Sequence, residues 1–249
     1  MSNKLNLSRM NLLLIAIIIG QCVALIYISC FKTDFYYRVL AKCGYMNYSV
    51  SESRHRIEYR CLEGWYNTLS EMNIQADIVF YGNSITYEGD FQSFFSNKCV
   101  LNMGCNRDDL DDLINRSFLI RSVHPRKIFV LGGINRLMDI NLKEFESKYL
   151  TMVDTIIKQN PSASLFVQSI LPVNVDMELG HRYVDSVDKI KKANNIIKKI
   201  ATKKKCVYVD LYGAYQIHDS LPRKYTRDGV HLKPDAYYIW AQTIRPLVE

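Results

Sequence analysis

The sequence predicts a three-layer α/β/α domain with a central parallel sheet of about five strands. Two observations lead to this prediction. Short apolar runs alternate along the chain with longer amphipathic segments, which is typical of strand–helix–strand units. The strand-like runs are almost continuously Val, Ile, Leu and Phe, as expected of strands covered on both faces. Ligands of such domains bind at the carboxyl ends of the strands, so functional residues are expected there.

The individual elements follow from local periodicity and from the positions of proline. Apolar residues recur every three or four positions over residues 55–72, which predicts a first helix. The predicted strands cover residues 76–81, 98–102, 127–131, 164–170 and 206–210. The later predicted helices cover residues 108–123, 142–159, 184–202 and 234–247. Pro234 suits the first turn of the last of these helices.

A long apolar run precedes this domain. Residues 12–31 read LLLIAIIIGQCVALIYISCF, with Gln21 as the one strongly polar member. About 20 such residues can span a bilayer as a helix, whereas a secretory signal has a shorter apolar core and a clear cleavage site. We therefore expect a short tail at 1–11, a transmembrane anchor at 12–31, a stalk at 32–53 and a globular domain at 54–249. A cleaved signal peptide is the alternative.

The orientation of this anchor is less strongly indicated. Basic residues lie on both sides of the run in similar number, so the positive-inside rule decides little. A long following domain translocates largely regardless of these charges. We expect the domain outside the cytoplasm, in the periplasm or at the cell surface.

Composition narrows the class of function. The net charge is +7, but the basic residues are scattered, and their densest run is Lys198, Lys199, Lys203, Lys204 and Lys205. Because this run lies at a predicted helix end, where cations favour the helix dipole, we interpret it as a solvated face and expect no nucleic-acid partner. The seven cysteines include no C-x-x-C pair, so no metal site is expected.

Two segments carry residues suited to nucleophilic catalysis. Gly82-Asn83-Ser84 follows the first predicted strand, and Asp228 lies three residues before His231, ahead of the last helix. A carboxylate beside an imidazole fixes its tautomer, and the imidazole can then deprotonate a serine. Taken singly, the serine is as readily a helix cap, and the aspartate and histidine a turn.

Two further strand ends offer hydrogen-bond donors. Gly104 follows the second strand, where a glycine lets a backbone N–H approach a ligand, and Asn135 follows the third with a donating amide. Such donors could stabilise the oxyanion of a tetrahedral intermediate. Each residue alone is common in ordinary loops, but all of these segments fall at one edge of the predicted sheet.

Together, these blocks resemble the SGNH hydrolases, also called the GDSL esterase/lipase family. The letters SGNH stand for a serine, a glycine, an asparagine and a histidine in four sequence blocks. The matching residues here are Ser84, Gly104, Asn135 and His231. The resemblance implies that Ser84 is the nucleophile, that His231 is the general base and then acid, and that Asp228 orients His231. It implies an oxyanion hole made by the N–H groups of Ser84 and Gly104 and the side chain of Asn135. It implies a flavodoxin-like fold and no metal or organic cofactor.

The resemblance covers residues 54–249, and two positions depart from the family pattern. Asn83 stands where the family has aspartate before the serine, and Arg136 stands where the third block has aspartate. These two residues and His181, in a polar loop after the fourth strand, are candidate substrate-binding residues.

Similarity to bacterial carbohydrate-esterase members implies removal of an acetyl or other short acyl group from an O-acylated substrate, a glycan or small molecule. The alternatives are a lysophospholipase or other lipid esterase, an acyltransferase with the same triad, and a catalytically silent glycan-binding module. The sequence predicts no particular oligomeric state.

Overall fold

The computed structural model describes residues 20–21 and 50–249, with side chains from Tyr59 onward in the second range. Residues Glu58–Glu249 form one compact unit. The predicted tail, nearly all of the predicted anchor and most of the predicted stalk lie outside the described residues. Among the residues that are described, no helix is both long and apolar enough to cross a membrane.

The described part of the chain contains one five-stranded sheet, in the order β2-β1-β3-β4-β5. Its strands are β1 (Ile78–Gly82), β2 (Val100–Gly104), β3 (Lys127–Leu131), β4 (Ser164–Gln168) and β5 (Val207–Val209). All neighbouring strands are parallel, and Gly82 is in register with Gly104 on one side and Leu131 on the other. The carboxyl ends of β2, β1 and β3 are therefore level. The predicted α/β/α sheet is confirmed.

Helices connect these strands and cover the sheet. They are α1 (Val50–Glu71), α2 (Ser84–Tyr87), α3 (Phe91–Phe94), α4 (Leu110–Arg116), α5 (Leu142–Gln159), α6 (Val187–Lys204), α7 (Leu211–Tyr215) and α8 (Tyr237–Val248). The bounds of α5 agree with the prediction. Its first turn is capped by Asn141, whose side chain accepts from the N–H of Glu144, and Pro161 lies two residues after its end.

Three predicted helices differ from the observed ones in the same way. Residues 117–123, 180–186 and 234–236 form 3₁₀ turns rather than regular α-helix. Apolar periodicity does not distinguish the two, because both conformations return the chain to the same face after three residues. At the other end of the domain, α1 begins at Val50, so the last residues of the predicted stalk belong to this helix.

Stacked aromatic rings pack on one face of the sheet, below the carboxyl ends of the strands. Phe80, Phe129 and Phe166 occupy one row across β1, β3 and β4. The ring centroids of Phe80 and Phe129 are 5.3 Å apart, and those of Phe129 and Phe166 are 4.4 Å apart. Phe91 stacks on Phe80 at 3.7 Å, and the buried Trp240 packs edge-on against Phe91. These contacts fix α3 and α8 on this face, below the loops that carry the candidate site.

Candidate active site

Ser84 lies at a sharp turn between β1 and α2. The Asn83 side chain accepts a hydrogen bond from the N–H of Ile85 at 3.1 Å and so caps the helix that Ser84 begins. A β-carbon at Gly82 would lie 2.3 Å from the carbonyl oxygen of Leu131, so only glycine fits before this turn. The turn brings Ser84 to the carboxyl edge of the sheet.

Ser84, His231 and Asp228 form a continuous hydrogen-bonded chain. Ser84 Oγ lies 3.0 Å from His231 Nε2, and His231 Nδ1 lies 2.7 Å from Asp228 Oδ2. An ionised carboxylate can only accept, so Nδ1 carries a proton and Nε2 of a neutral imidazole is left to accept one from the serine. Residues 147 positions apart are thereby brought into the geometry of a nucleophile and its base.

The Asp228 carboxylate is held in its charged form. Oδ1 accepts from the backbone N–H groups of Val230 and His231 at 2.9 and 2.8 Å. Partial burial by itself raises the pKa of this carboxyl, but the two backbone donors and the His231 imidazole outweigh burial and lower the pKa below its ordinary value. A charged Asp228 can orient the imidazole and stabilise its protonated form.

Hydrogen bonds within the loop around Asp228 hold its two ends together. The Thr226 hydroxyl donates to the carbonyl of His231 at 2.7 Å and accepts from the N–H of Gly229 at 2.9 Å. Gly229 has a φ of +98° and packs against the backbone of Gly180. This left-handed conformation favours glycine, so Gly229 is required for the turn that spaces Asp228 from His231.

Asn135 reaches the same edge from the end of β3. Its Nδ2 donates to the backbone carbonyl of Asp108, in the loop after β2, at 2.8 Å. An amide nitrogen has two N–H groups, so one bond fixes the side chain and the second N–H remains to donate.

Gly104 has a different environment from the one the sequence suggested. Its N–H donates to Asn102 Oδ1 at 2.9 Å, and an added β-carbon would lie 2.2 Å from the Tyr87 nitrogen. In this structure Gly104 lets β2 pack closely against α2, and its N–H already has an acceptor. Farther along the same loop, Arg107 adopts a φ of +67°, and its N–H donates to no acceptor within the described residues. Nothing in the sequence was a reason to select Arg107, because an arginine is not a sign of this backbone conformation.

Comparison with known proteins identifies the family of this chain. The model of the GDSL-like lipase/acylhydrolase family matches residues 80–239, more than half of the chain. The chain belongs to this family. It is accordingly a hydrolase that acts on ester bonds. No curated protein matches the sequence.

Solved structures of several bacterial proteins share the fold. A Streptococcus pneumonia protein described as a platelet activating factor superposes with a TM-score of 0.71 at 22% identity, over 80% of this chain and 97% of its own. A GDSL-like lipase from Bacteroides thetaiotaomicron gives 0.65 at 21%, over 74% and 96%. An acetyl xylan esterase from Geobacillus stearothermophilus gives 0.55 at 17%, over 71% and 96%. At these identities the similarity concerns the fold.

The three candidate substrate-binding residues of this acylhydrolase differ in exposure. Asn83 is fully buried beneath Ser84 and offers no surface to a substrate, in contrast to the prediction. Arg136 is exposed beside Asn135, with ion-pair distances of 3.4 Å to Asp109 and 3.5 Å to Asp139. His181 is exposed, and its Nδ1 lies 3.2 Å from the carbonyl of Val175. Substrate contact by Arg136 and His181 stays a prediction.

The segment before His181 nevertheless supports the site. The N–H groups of Leu179 and Gly180 both donate to the carbonyl of Asp228, at 3.0 and 3.1 Å. The segment that leads into the His181 loop is therefore hydrogen-bonded to the loop that carries Asp228 and His231, and supports it.

Arg227 is a second residue that the sequence analysis missed. Its guanidinium donates to Glu88 Oε1 at 2.6 Å and lies 3.6 Å from Asp228 Oδ2. Glu88 is the C-cap of α2, so this arginine joins the helix of Ser84 to the loop of His231. The adjacency of Arg227 and Asp228 in the sequence was the available sign.

The described residues also bear on metal binding. No group of three or more His, Cys, Asp or Glu side chains in that part of the chain could hold a metal ion. Independence from metals and organic cofactors stays a prediction.

Proposed function

We propose that this acylhydrolase is a serine esterase in which Ser84 is the nucleophile, His231 the general base and acid, and Asp228 the residue that orients His231. The observation that carries the proposal is the pair of distances along this chain, 3.0 Å from Ser84 Oγ to His231 Nε2 and 2.7 Å from His231 Nδ1 to Asp228. Membership of a family of acylhydrolases supports it.

The reaction proceeds in two halves. His231 Nε2 takes the proton of Ser84 as Oγ attacks the ester carbonyl carbon, which gives a tetrahedral oxyanion. The intermediate collapses with cleavage of the bond to the alcohol oxygen, which takes the proton from His231 and leaves. Water then attacks the acyl-Ser84 ester with His231 again as base, and the acid and free Ser84 are released.

Three donors are proposed for the oxyanion. The N–H of Ser84 lies in the first turn of α2, where backbone N–H groups have no carbonyl partner within the helix. The second N–H of Asn135 Nδ2 remains after its bond to Asp108. The third donor is the N–H of Arg107 rather than that of Gly104, which is occupied by Asn102. Together they would face the developing charge at a fixed place.

The proposed substrate is an O-acetylated, or otherwise short-chain O-acylated, carbohydrate. The resemblance of the sequence to bacterial carbohydrate esterases supports this choice, as does the acetyl xylan esterase among proteins of the same fold. The apolar run at residues 12–31 is proposed to anchor the enzyme to a membrane with its domain outside the cytoplasm. The same run favours a lipid ester as the second candidate substrate.

The test compares two model esters on the full-length protein. Hydrolysis of p-nitrophenyl acetate and p-nitrophenyl palmitate is measured for the wild type, for Ser84→Ala and for Ser122→Ala. Ser122 lies in the 3₁₀ turn before the amino end of β3, at the sheet edge opposite the candidate site, and serves as the matched serine control. We expect acetate turnover that falls by about 10⁴-fold or more in Ser84→Ala and is unchanged in the control. Equal turnover by the wild type and Ser84→Ala would refute the proposed nucleophile, and a preference for palmitate would favour the lipid ester.

A further inference from the structure

Arg116, at the end of α4, is completely buried beside the candidate site. Its guanidinium donates to the Asp108 carboxylate, to the carbonyl of Met103 at 2.8 Å and to the carbonyl of Gly82 at 2.8 Å. It also lies over the Tyr81 ring, 4.3 Å from the ring centroid. One side chain thus joins the carboxyl end of β1, the end of β2 and the loop that follows β2.

Stability alone is a poor explanation for this ion pair. The side chains of Arg116 and Asp108 are both 0% exposed. Removing two charges from water costs about as much as their attraction returns, and apolar side chains of the same volume often give an equally stable core. A buried pair with several fixed partners is better suited to holding backbone groups in one arrangement.

The backbone groups that this pair holds are those next to the oxyanion donors. The carbonyl of Asp108 is the acceptor that fixes Asn135 Nδ2, at 2.8 Å. The carbonyl of Gly82 stands two residues before Ser84 and also accepts from the N–H of Cys105 at 2.9 Å. Arg107, whose N–H has no acceptor in the described part of the chain, is the immediate neighbour of Asp108.

We propose that Arg116 and Asp108 are positioning residues that hold the Ser84, Arg107 and Asn135 donors at the oxyanion. The proposal rests on the proposed esterase function. It adds two buried residues that support the donors of the site without being part of the triad. Because neither side chain reaches the surface, neither touches substrate. Oxyanion donors stabilise the transition state only while they stay aimed at one point, and a displacement of about 1 Å can lower the rate about 10²-fold.

The test is the double variant Asp108→Asn/Arg116→Met in the full-length enzyme. Loss of the Asp108 carboxylate alone would leave the buried Arg116 charge without its counter-ion and could unfold the protein, whereas the double substitution removes both charges together. The substitution at position 108 changes only the side chain, so the backbone carbonyl that binds Asn135 is kept. We expect kcat for p-nitrophenyl acetate, counted per titrated active site, to fall about 10²-fold while KM changes less than about threefold. Inhibition by phenylboronic acid, which forms a tetrahedral adduct on a serine, should weaken by a similar factor.

Two comparisons separate positioning from stability. Met152→Ala truncates a buried side chain of α5 and serves as the variant that is destabilised without changing this network. Active-site titration then reports the folded fraction of each variant. If kcat per active site is unchanged in the double variant, or falls equally in Met152→Ala, the positioning role is overturned while the esterase proposal stands. If the wild type does not exceed Ser84→Ala, both proposals are overturned.

Discussion

Replacing Asp228 with asparagine tests the proposed role of this residue while leaving its loop intact. Asp228 accepts two backbone N–H bonds on Oδ1 and the His231 Nδ1 bond on Oδ2. Asparagine keeps one oxygen for the two backbone bonds but presents an NH₂ group to the imidazole. Nδ1 must then accept, so the proton moves to Nε2, 3.0 Å from Ser84 Oγ. An imidazole with its proton on Nε2 cannot deprotonate the serine.

The expected loss follows from this change of tautomer. The same substitution in a serine protease triad lowers kcat about 10⁴-fold while leaving the geometry intact. The bond from His231 Nδ1 to Asp228 is 2.7 Å long, within the range of charge-assisted bonds, so we expect a loss of the same order here. A factor of 10⁴ corresponds to about 5.4 kcal/mol of activation free energy.

Stability should respond to pH in a defined direction. The folded state lowers the pKa of the Asp228 carboxyl, so ionisation of this group stabilises the fold above the ordinary aspartate pKa of about 3.9. That contribution is lost as the pH falls through the lowered pKa of the folded state. The wild type should therefore have a larger free energy of unfolding than Asp228→Asn. This difference should be largest near neutral pH and should become smaller in acid.

The assay is steady-state hydrolysis of p-nitrophenyl acetate at neutral pH, with urea unfolding of the same preparations. Asp176→Asn is the matched control, because Asp176 is an acid on the segment that packs against the Asp228 loop and forms no hydrogen bond or ion pair with the triad side chains. We expect the control to keep wild-type kcat. A kcat for Asp228→Asn within about tenfold of the wild type, in a folded protein, would refute the role assigned to Asp228.

Three further substitutions probe the surrounding residues. Asn135→Ala should lower kcat by about 10²–10³-fold with little change in KM, because the substitution removes one oxyanion donor. Steady-state kinetics with p-nitrophenyl acetate test this prediction, and a higher KM with an unchanged kcat would contradict it. Gly104→Ala should destabilise the protein by about 1–3 kcal/mol, because the new methyl group meets the Tyr87 backbone; urea unfolding would show wild-type stability if this packing were unimportant. Arg227→Gln should lower kcat/KM only about two- to fivefold, because Arg227 is 54% exposed and water screens its bond to Glu88. The difference in kcat/KM between the variant and the wild type should become smaller in about 1 M NaCl, and a loss that does not depend on salt would contradict this explanation.

Local sequence patterns accounted for most of the elements. The helix at Leu142–Gln159 was predicted with its observed bounds, because its residues follow an amphipathic pattern that ends at Asn160-Pro161. The run Lys127–Leu131 was likewise predicted because a central strand is apolar on both faces. The turn at Ser117–Val123 was assigned to the preceding helix, since its side chains keep a similar spacing in 3₁₀ and α conformations.

Residue types and spacing made Ser84, Asp228 and His231 candidates, and the resemblance to the SGNH hydrolases implied their roles. An aspartate three residues before a histidine, and a serine after a strand, carry their chemistry in their side chains, which the sequence states directly. The sequence also placed them at one sheet edge, because parallel strands end together. The distances of 3.0 and 2.7 Å, by contrast, depend on how a loop 147 residues from the serine folds back over it.

Which backbone N–H groups remain to donate was decided by tertiary structure. Glycine suggested Gly104, but its N–H is taken by Asn102, while Arg107 stands in a left-handed conformation with its N–H unused within the described residues. The ion pair of Arg116 and Asp108 also became visible only in the fold, since charged residues in a sequence are ordinarily exposed. A side chain keeps its chemistry wherever it stands. The availability of a backbone donor and the burial of a charge depend on partners that the chain brings together only when it folds.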